Sequence, residues 1–462
     1  MSQLKKYLGI DIGSTWTKGA VFVPDDAKGL RLEALYRTPT TVDDLRTGFD
    51  TCRNRLDPEG EAELYYSSSA KGGLRIAALG VVPELTLRMA REAACSAGGK
   101  ITSVTAYKLC ADDVAAMLEK APDIVLLTGG TDGGNEECVR HNLELLAKLP
   151  PELPVIYAGN RALRDLVREK LGGRELKVVE NVLPELSRPN AGPAREAIRE
   201  LFLKRIVSGR GLDKIVAETG REPVPTPLAM LEFLKSFYEF TGRETGFAVV
   251  DMGGATTDFY SACADKFESN VMVRGIPEPP VKRTVEGDVG MRVSARAAFE
   301  EIRDELEKRN GEEFAEKMEK YIDRVSRKCE YLPQTPEEKT FDLALAAGCC
   351  TVALRRHAGR RRQVFTTTGP VAIQTGRNLR HVNVVIGSGG FLSRMTPEEL
   401  KEMWWETPAD PECEMLTPVD FVWRPDAEGV MALAAEVARG VPEAACRFLS
   451  DRLNLNIGVQ RP

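Results

Sequence analysis

The sequence predicts an α/β protein built from two similar halves, residues 1–245 and 246–462, around a ligand cleft. Two distant segments share one pattern: LGIDIGSTWTKGAVF at 8–22 and FAVVDMGGATTDFYS at 247–261. Across residues 64–185, short apolar strands alternate with amphipathic helices, which is typical of a doubly wound parallel sheet. A chain of 462 residues is also too long for one ordinary core.

Each of the two matching segments predicts a β-hairpin. An apolar strand ends in Asp11 or Asp251, and a glycine turn with several hydroxyls follows before the chain reverses. Glycine lets the backbone approach a ligand closely, and the N–H groups of such a turn point towards anions. Two such turns predict that one polyphosphate is bound from both sides, with carboxylates that hold a divalent metal through water.

The candidate site residues follow from these hairpins. Asp11 and Asp251 are the predicted catalytic residues and the predicted ligands of a hydrated magnesium ion, because phosphoryl transfer depends on charge neutralisation and positioning. Lys18 lies on the returning strand and either reaches the phosphates or faces solvent. The predicted phosphate-binding residues are Gly13, Ser14, Thr15, Thr17, Lys18, Gly253, Gly254, Thr256 and Thr257.

The segment from the first hairpin to residue 243 predicts further elements in a regular order. GLRLEALYRTPTT supplies a third strand after the hairpin. The strands of the parallel sheet are predicted in RIAALGVV, ITSVTAYKL, DIVLLTGG, VIYAGN and LKVVENV, with amphipathic helices between them. Residues 190–243 are predicted to be mostly helical.

The second half is predicted to continue from its hairpin with a charged amphipathic helical region at 292–330. A small-residue helix at 340–357 contains Cys349 and Cys350, and we expect this pair to be packed in the core. A strand in HVNVVIGSGG and a final helix in GVMALAAEVARG close the chain.

A third glycine cluster, VVIGSGGFLS at 384–393, predicts a nucleoside site. An apolar strand leads into the glycines, and the next helix is predicted to start at Thr396. Bare backbone would let an adenine or a ribose lie against the chain. The predicted adenosine-binding residues are Gly387, Ser388, Gly389 and Gly390.

Composition and charge exclude several classes of protein. A net charge of −6 argues against a general nucleic-acid surface, and the basic run at 355–362 is predicted to be a solvated face or loop. We identify neither a signal peptide nor an apolar stretch of the roughly 20 residues that would span a membrane. The ten scattered cysteines fit reduced thiols. We therefore expect a cytoplasmic protein without a nucleic-acid or membrane partner.

The order of the three glycine-containing motifs resembles the actin/Hsp70/sugar-kinase ATPase superfamily. The segment PTPLAMLEFLKSFYE at 225–239 is similar to the first interdomain connector of that superfamily. The resemblance implies two RNase H-like domains, with ATP and magnesium bound in the cleft between them.

One branch of the superfamily is closer. DIVLLTGGTDGGNEE at 123–137, VIYAGN at 155–160, VVENVLPEL at 178–186, VDMGGATTDFYS at 250–261 and TVEGDVGMR at 284–292 resemble the MutL-type accessory proteins of glutamate (methylaspartate) mutase. The likeness extends over most of the chain. It does not concern the mismatch-repair protein of the same name.

That resemblance implies a magnesium-dependent ATPase that acts as a chaperone-like reactivating factor. The implied partner is an adenosylcobalamin-dependent mutase of the glutamate mutase type. Two alternatives stay open: a small-molecule kinase of the same superfamily, and an ATP-dependent activator of a radical enzyme. The second would need a thiolate pair at a homodimer interface, for which Cys95, Cys110 and Cys138 lie in one region of the sequence.

Three points are left open by the sequence. No general base is assigned, and Glu180, Glu286 and Asp288 are the candidates. The 64–185 region resembles a cobalamin-type doubly wound domain, but it lacks a D-x-H-x-x-G motif, so we do not expect cobalamin ligation by histidine. The turn TGGTDGG at 128–134 either binds an anion or is a tight structural turn.

Overall fold

The computed structural model describes residues 5–41, 43–69, 74–207, 211–243, 245–264, 271–367, 369–405 and 413–455. The strands of these ranges are β1 (Tyr7–Ile12), β2 (Trp16–Asp25), β3 (Gly29–Pro39), β4 (Glu63–Ser68), β5 (Arg75–Gly80), β6 (Lys100–Ala106), β7 (Ile124–Leu127), β8 (Val155–Tyr157), β9 (Leu176–Val178), β10 (Gly246–Met252), β11 (Thr257–Ala262), β12 (Val271–Arg274), β13 (Val281–Glu286), β14 (Arg360–Thr366), β15 (Gly369–Thr375), β16 (Val382–Ser388), β17 (Glu414–Met415) and β18 (Val422–Pro425).

The α-helices of the same ranges are α1 (Leu45–Leu56), α2 (Arg88–Ser96), α3 (Ala111–Glu119), α4 (Glu137–Leu146), α5 (Arg164–Leu171), α6 (Gly192–Val207), α7 (Leu212–Thr219), α8 (Thr226–Phe240), α9 (Ala295–Asn310), α10 (Glu312–Arg327), α11 (Pro336–His357), α12 (Gly389–Leu392), α13 (Pro397–Lys401), α14 (Met431–Val437) and α15 (Pro442–Arg452). Shorter helical turns lie at Pro83–Leu87, Arg161–Leu163 and Ala427–Gly429.

Two of the sheets share one strand order. In the first half the order is β3-β2-β1-β4, and in the second it is β13-β11-β10-β16-β18. In both, an antiparallel meander of three strands is extended by a parallel strand beside the first one. Every residue of β1 is buried, as expected of a strand with apolar cover on both faces. The predicted actin-like α/β fold class is confirmed.

The first half also carries a rudiment of the fifth strand. Val224 makes a single parallel bridge with Ser67 of β4, and α8 begins two residues later, at Thr226. In the second half, β18 lies beside β16 in the same place. The two halves therefore lead into their closing helices, α8 and α14, in the same manner.

The predicted doubly wound sheet is confirmed, with strand order β6-β5-β7-β8-β9 and all neighbours parallel. This is the flavodoxin-like order, in which the direction of winding reverses between the first and third strands. Along the chain, the first strand of this sheet is β5, which starts at Arg75. The predicted region began earlier, at residue 64, but β4 at that place pairs with β1 in another sheet.

A fourth sheet, with strand order β12-β15-β14-β17, was not predicted. The basic run at 355–362, predicted to be a solvated face or loop, spans the end of α11 and the start of β14, with Arg356, Arg360 and Arg362 exposed. Arg355 bonds to Glu305, and Arg356 bonds to Glu286 and Asp288. Part of the run is therefore a set of ion pairs that fix the end of α11.

An apolar core joins the two halves beneath the cleft. Side chains of the first sheet, including Phe22, meet side chains of the second, including Phe247, and α8 and α14 pack between them. Phe237 of α8 contacts Phe247 edge-on at a ring-centroid distance of 5.4 Å. Because both closing helices share this core, a rotation of one half against the other must repack it.

The remaining predicted elements are confirmed with two exceptions, one of which is that the helix after β16 is α12, which begins at Gly389, before the predicted start at Thr396. Cys349 and Cys350 are buried in α11, and Thr396 caps the start of α13. The helix at GVMALAAEVARG corresponds to α14, but it is not the last one, since α15 follows and packs on β3. No helix of the described ranges is long and apolar enough to cross a membrane.

Candidate functional site

The two hairpin turns have the same internal hydrogen bonding. Gly13 donates its N–H to the carbonyl of Trp16 at 3.1 Å, and Gly253 donates to Thr256 at 2.9 Å. The next two amides of each turn, at 14–15 and 254–255, donate to no acceptor among the described residues. Each turn therefore presents a pair of N–H groups, an arrangement that suits phosphate oxygens.

The two turns face each other. The Thr15 hydroxyl lies 3.8 Å from the position that a β-carbon would take on Gly254. The structure thus brings together the two halves of the predicted phosphate site, although 240 positions separate Asp11 from Asp251 in the sequence. A glycine at position 254 keeps the gap between the turns open.

Asp11 is held by two hydroxyls behind it. Its Oδ1 atom accepts a hydrogen bond from Thr226 at 2.7 Å and one from Ser67 at 3.3 Å. Ser67 lies opposite Asp11 in the β1–β4 register, and Thr226 is the first residue of α8. The carboxylate is buried, and these bonds fix its orientation at the end of β1.

Asp251 holds the equivalent place at the end of β10, but its environment differs. Burial and the neighbouring Asp258 carboxylate together raise the pKa of Asp251 to about 7, although the charge of Lys18 lowers it. Lys18 also lowers the pKa of Asp426. Lys18 is thus oriented towards the cleft and the carboxylates of the second half.

The position that matches Lys18 in the second hairpin is Asp258. Lys18 pairs with Asp11 across β1 and β2, and Asp258 pairs with Asp251 across β10 and β11. Asp258 is buried and forms an ion pair with buried Arg283, whose Nη2 lies 2.5 Å from Oδ1. Arg283 also donates to the carbonyl of Cys95 at the end of α2. This arginine therefore connects the second hairpin to the doubly wound sheet.

The predicted adenosine segment is divided by the structure. Ser388 ends β16 and donates its hydroxyl to Asp426 at 3.0 Å. Gly387 packs on Leu392. At Gly389, φ is +89° and a β-carbon would lie 2.1 Å from the carbonyl of Met252, whereas a β-carbon on Gly390 would meet nothing within 4 Å. Gly390 is thus the part of the segment with open space beside it.

Asp426 completes this side of the cleft and was not predicted. Its Oδ1 accepts hydrogen bonds from the N–H groups of Val430 and Met431, at 3.1 Å each, at the start of α14. Burial raises the pKa of Asp426 to about 6, although these bonds favour the charged form. In the first half, Thr226 occupies the corresponding place at the start of α8.

Two of the predicted phosphate-binding threonines are turned away from the turns. Thr17 is fully buried, and its hydroxyl lies 3.0 Å from that of Thr40, which donates to the carbonyl of Gly13. Thr257 is fully buried as well and donates to the carbonyl of Val289 at 3.0 Å. These hydroxyls brace the turns from behind, whereas Ser14, Thr15 and Thr256 are exposed or half-buried.

The segment TVEGDVGMR supports the second hairpin. Met291 and Arg292 donate their N–H groups to the carbonyls of Gly253 and Gly254, at 3.1 and 2.8 Å. Ser294 donates its hydroxyl to the carbonyl of Ala255 at 2.7 Å. Because every carbonyl of the turn is bound on this side, the backbone of the turn is held in one orientation.

The predicted candidates for a general base are engaged elsewhere. Glu180 is exposed and accepts a hydrogen bond from Asn190, and both Glu286 and Asp288 are paired with Arg356. A carboxylate that was not predicted, Glu436 of α14, is fully buried next to Ser67 and Arg439. Burial raises the pKa of Glu436 to about 8.

The turn at 128–134 is closed by two asparagines. Asn160 accepts from the N–H of Gly133 and donates to the carbonyl of Gly134. Asn181 donates to the carbonyl of Gly130 and to Asp132. These internal bonds favour a structural turn over an anion site at this place.

The cleft has few acidic groups for a metal ion. Among the residues that the structure describes, no three His, Cys, Asp or Glu side chains converge closely enough to enclose one. Magnesium usually retains several waters and binds through one or two carboxylates and substrate phosphates. Asp11 and Asp251, each at the end of the strand that leads into one of the two turns, fit that mode of binding.

Comparison with known proteins places this architecture in a family. The sequence profile of the MutL protein family matches residues 7–453. The chain is 35% identical to Protein MutL of Clostridium tetanomorphum over 474 aligned positions, which cover 97% of this chain and 99% of that protein.

Similarity to solved structures is slight. Nucleotide-free acetone carboxylase is 14% identical, with 63% of this chain and 49% of that chain covered and a TM-score of 0.31. A Ppx/GppA family protein of Aquifex aeolicus is 11% identical, with 86% and 73% covered and a TM-score of 0.24. The sequence relationship decides the assignment: this chain belongs to the MutL protein family.

Proposed function

We propose that the cleft binds magnesium–ATP between the two hairpins and that the protein is an ATP-dependent accessory factor of a mutase. The observation that carries this proposal is the meeting of the two turns, with Thr15 and Gly254 in apposition. The two turns, each with a pair of N–H groups that donate to no acceptor among the described residues, lie next to each other. A polyphosphate is the ligand whose charge and length fit this arrangement.

The side chains of the cleft have different roles in binding. Lys18 supplies a positive charge beside the phosphates, and Asp11 and Asp251 would orient the waters of magnesium. When bound, magnesium neutralises the charge that develops on the phosphates. Thr226 and Ser67 keep Asp11 in place, so that the carboxylate is oriented before the ligand arrives.

The raised pKa of Asp251 makes it the group best suited to exchange a proton. A carboxylate with a pKa of about 7 is near the operating pH, where a general base is most effective. A positive ion in the cleft would shift this pKa down again. Asp251 is a better candidate for activating water than Glu180, Glu286 or Asp288 because it lies beside the second turn, whereas those three are bonded to Asn190 or Arg356.

A connection from the cleft to the doubly wound sheet supports a role in changing the shape of a partner. Lys100 of β6 donates to the carbonyl of Gly287 at 2.9 Å, in the segment that holds the second hairpin. Arg283 bonds to Asp258 and to the carbonyl of Cys95. A movement of the second hairpin on closure of the cleft would thus reach the doubly wound sheet.

The proposed partner is an adenosylcobalamin-dependent mutase of the glutamate mutase type. The proposal is supported by membership of the MutL protein family together with the family resemblance of the sequence. In this role, ATP binding closes the two halves and hydrolysis reopens them.

The test is reactivation of a mutase inactivated by turnover, with purified protein, ATP and magnesium. We expect recovery of mutase activity with the wild type and the exposed-surface variant Asp165→Asn, and none with Asp251→Asn or without ATP. ATP consumption matched by a phosphorylated small molecule, without any mutase, would instead establish a kinase.

A further inference from the structure

A cavity of about 280 Å³ lies at the outer edge of the first sheet. It is bordered by the strand β4 and by three arginines from separate parts of the chain, Arg199, Arg221 and Arg439. Arg199 belongs to α6, Arg221 precedes α8, and Arg439 follows α14. Three arginines thus border one cavity, with Glu222 as the acidic residue of its wall.

Two of the arginines share one aromatic ring. The guanidinium carbon of Arg221 lies 4.9 Å from the ring centroid of Tyr65, and that of Arg439 lies 5.9 Å from it. Both also lie at the outer edge of β4, where Arg221 donates to the carbonyl of Leu64 at 2.7 Å and Arg439 contacts that of Tyr66 at 3.4 Å. The two positive charges beside one ring repel each other.

The ion pairs of these arginines are long. Arg199 lies 3.3 Å from Glu196, Arg221 lies 3.4 Å from Glu63, and Arg439 lies 3.4 Å from Glu436. Good N–H···O bonds measure about 2.7–3.2 Å. Glu63 is shared with Lys5, at 2.7 Å. Burial raises the pKa of Glu436 to about 8, so that its charge does not balance Arg439 at neutral pH.

We propose that this cavity binds a phosphate dianion, either inorganic phosphate or the phosphate group of a monoester. A guanidinium binds two phosphate oxygens in a bidentate geometry, and the three arginines can exchange their long ion pairs with Glu196, Glu63 and Glu436 for bonds to a dianion. The volume of the cavity accommodates a phosphate together with ordered water.

The cavity is linked to the cleft through α14. The same Nη1 atom of Arg439 contacts both the carbonyl of Tyr66 and Glu436. Glu436 lies beside Ser67, whose hydroxyl donates to Asp11. A bound dianion would draw Arg439 away from Glu436 and alter the support of Asp11. This coupling, unlike the binding itself, rests on the proposed function of the cleft.

The binding is tested by isothermal titration of the full chain with inorganic phosphate and, in a second arm, with methyl phosphate. We expect saturable binding, weakened at least tenfold by Arg439→Gln and by Arg199→Gln. The conservative Arg439→Lys keeps the positive charge but loses the bidentate geometry of the guanidinium. Its affinity for phosphate should lie between those of the two Gln variants and that of the wild type. Arg447→Gln, which removes an exposed arginine paired with Glu443, is the matched control and should bind like the wild type.

Two results would overturn the proposal: absence of saturable binding at millimolar phosphate, or equal affinity in the wild type and the Arg199→Gln and Arg439→Gln variants. The variant Gly254→Val distinguishes phosphate bound in the cleft from phosphate bound in the cavity. It should weaken phosphate binding in the cleft and leave the affinity of the cavity unchanged. If the wild type does not bind magnesium–ATP but still binds phosphate in a manner that depends on Arg439, the proposed function of the cleft is refuted and the phosphate site is not. A preference for methyl phosphate over inorganic phosphate identifies a monoester as the ligand.

Discussion

The Thr15 hydroxyl and Gly254 lie in apposition across the cleft, with 3.8 Å between the hydroxyl oxygen and the site of a β-carbon on Gly254. On the other side, Cβ of Arg292 lies nearer, at 3.5 Å from that site. A single methyl group would therefore fit, whereas a branched side chain would occupy the gap between the turns.

Gly254→Val is predicted to weaken magnesium–ATP binding at least about tenfold, or ~1.4 kcal/mol, because the branches fill the space for the phosphates. Titration calorimetry measures the affinity. Gly173→Val, at an exposed glycine whose β-carbon would meet nothing within 4 Å, should bind like the wild type. Equal affinities for the two variants would show that the gap is not the phosphate site.

The neighbouring glycines Gly389 and Gly390 are predicted to respond in opposite ways to alanine. At Gly389 the left-handed backbone alone costs about 1–2 kcal/mol, and the overlap with the carbonyl of Met252 adds to this. At Gly390 alanine should change the free energy of unfolding by no more than about 1 kcal/mol.

Denaturant unfolding of both variants measures the difference. If Gly390 borders the nucleoside, Gly390→Leu should weaken ATP binding without loss of stability. Undiminished ATP affinity in a folded Gly390→Leu protein would contradict the predicted adenosine contact.

Glu436 is predicted to make stability depend on pH. Its pKa in the folded state is about 8, above the ordinary value of 4.5, so the folded protein holds a proton that the unfolded chain has released. The free energy of unfolding should therefore fall as pH rises from about 4.5 to 8. Glu436→Gln should remove this part of the decline and stabilise the protein at pH 9 by a few kcal/mol, at ~1.4 kcal/mol per unit of pKa difference.

Unfolding by denaturant at pH 5, 7 and 9 checks the sign. The exposed Glu443→Gln, on α15, serves as the matched control and should keep the slope of the wild type. A Glu436→Gln protein that is less stable at pH 9 than the wild type would contradict the buried, protonated state of this side chain.

The buried pair Asp258–Arg283 is predicted to be sensitive to loss of either member. Arg283→Met should cost about 3–5 kcal/mol, because it leaves Asp258 buried without its oppositely charged partner and removes the bond to the carbonyl of Cys95. Adding Asp258→Asn to Arg283→Met should restore part of this loss. A double variant no more stable than Arg283→Met would show that the ion pair does not carry the effect.

The hairpins were predictable because their pattern is local. A strand, a carboxylate, a glycine turn and a returning strand occupy about 15 consecutive positions, and the equivalence of Gly13 and Gly253 follows from the sequence. The placement of Thr17 and Thr257 did not follow, because whether a threonine beyond the turn faces the ligand depends on the pleat of β2 and β11. In both cases the pleat turns the hydroxyl inwards.

The missed residues share a different cause. Asp426 and Glu436 lie 175 and 185 positions after Asp251, Asp426 in the loop before α14 and Glu436 in α14 itself. Their proximity to the cleft arises from the pairing of β18 with β16 and from the packing of α14 on β1. The fourth sheet was missed because the arginines of β14 suppress the apolar alternation by which a strand is recognised.

The most direct test is calorimetric titration of non-hydrolysable ATP into the wild type and into Asp11→Ala and Asp251→Ala, with and without magnesium. Asp165→Asn, at a fully exposed side chain, is the control. We predict one site per chain. Its affinity should fall at least about tenfold, or ~1.4 kcal/mol, when magnesium or either cleft carboxylate is removed. The control should bind like the wild type. Absence of binding by the wild type, or affinity that is the same with all three aspartate variants, would contradict a magnesium–ATP site between the two hairpins.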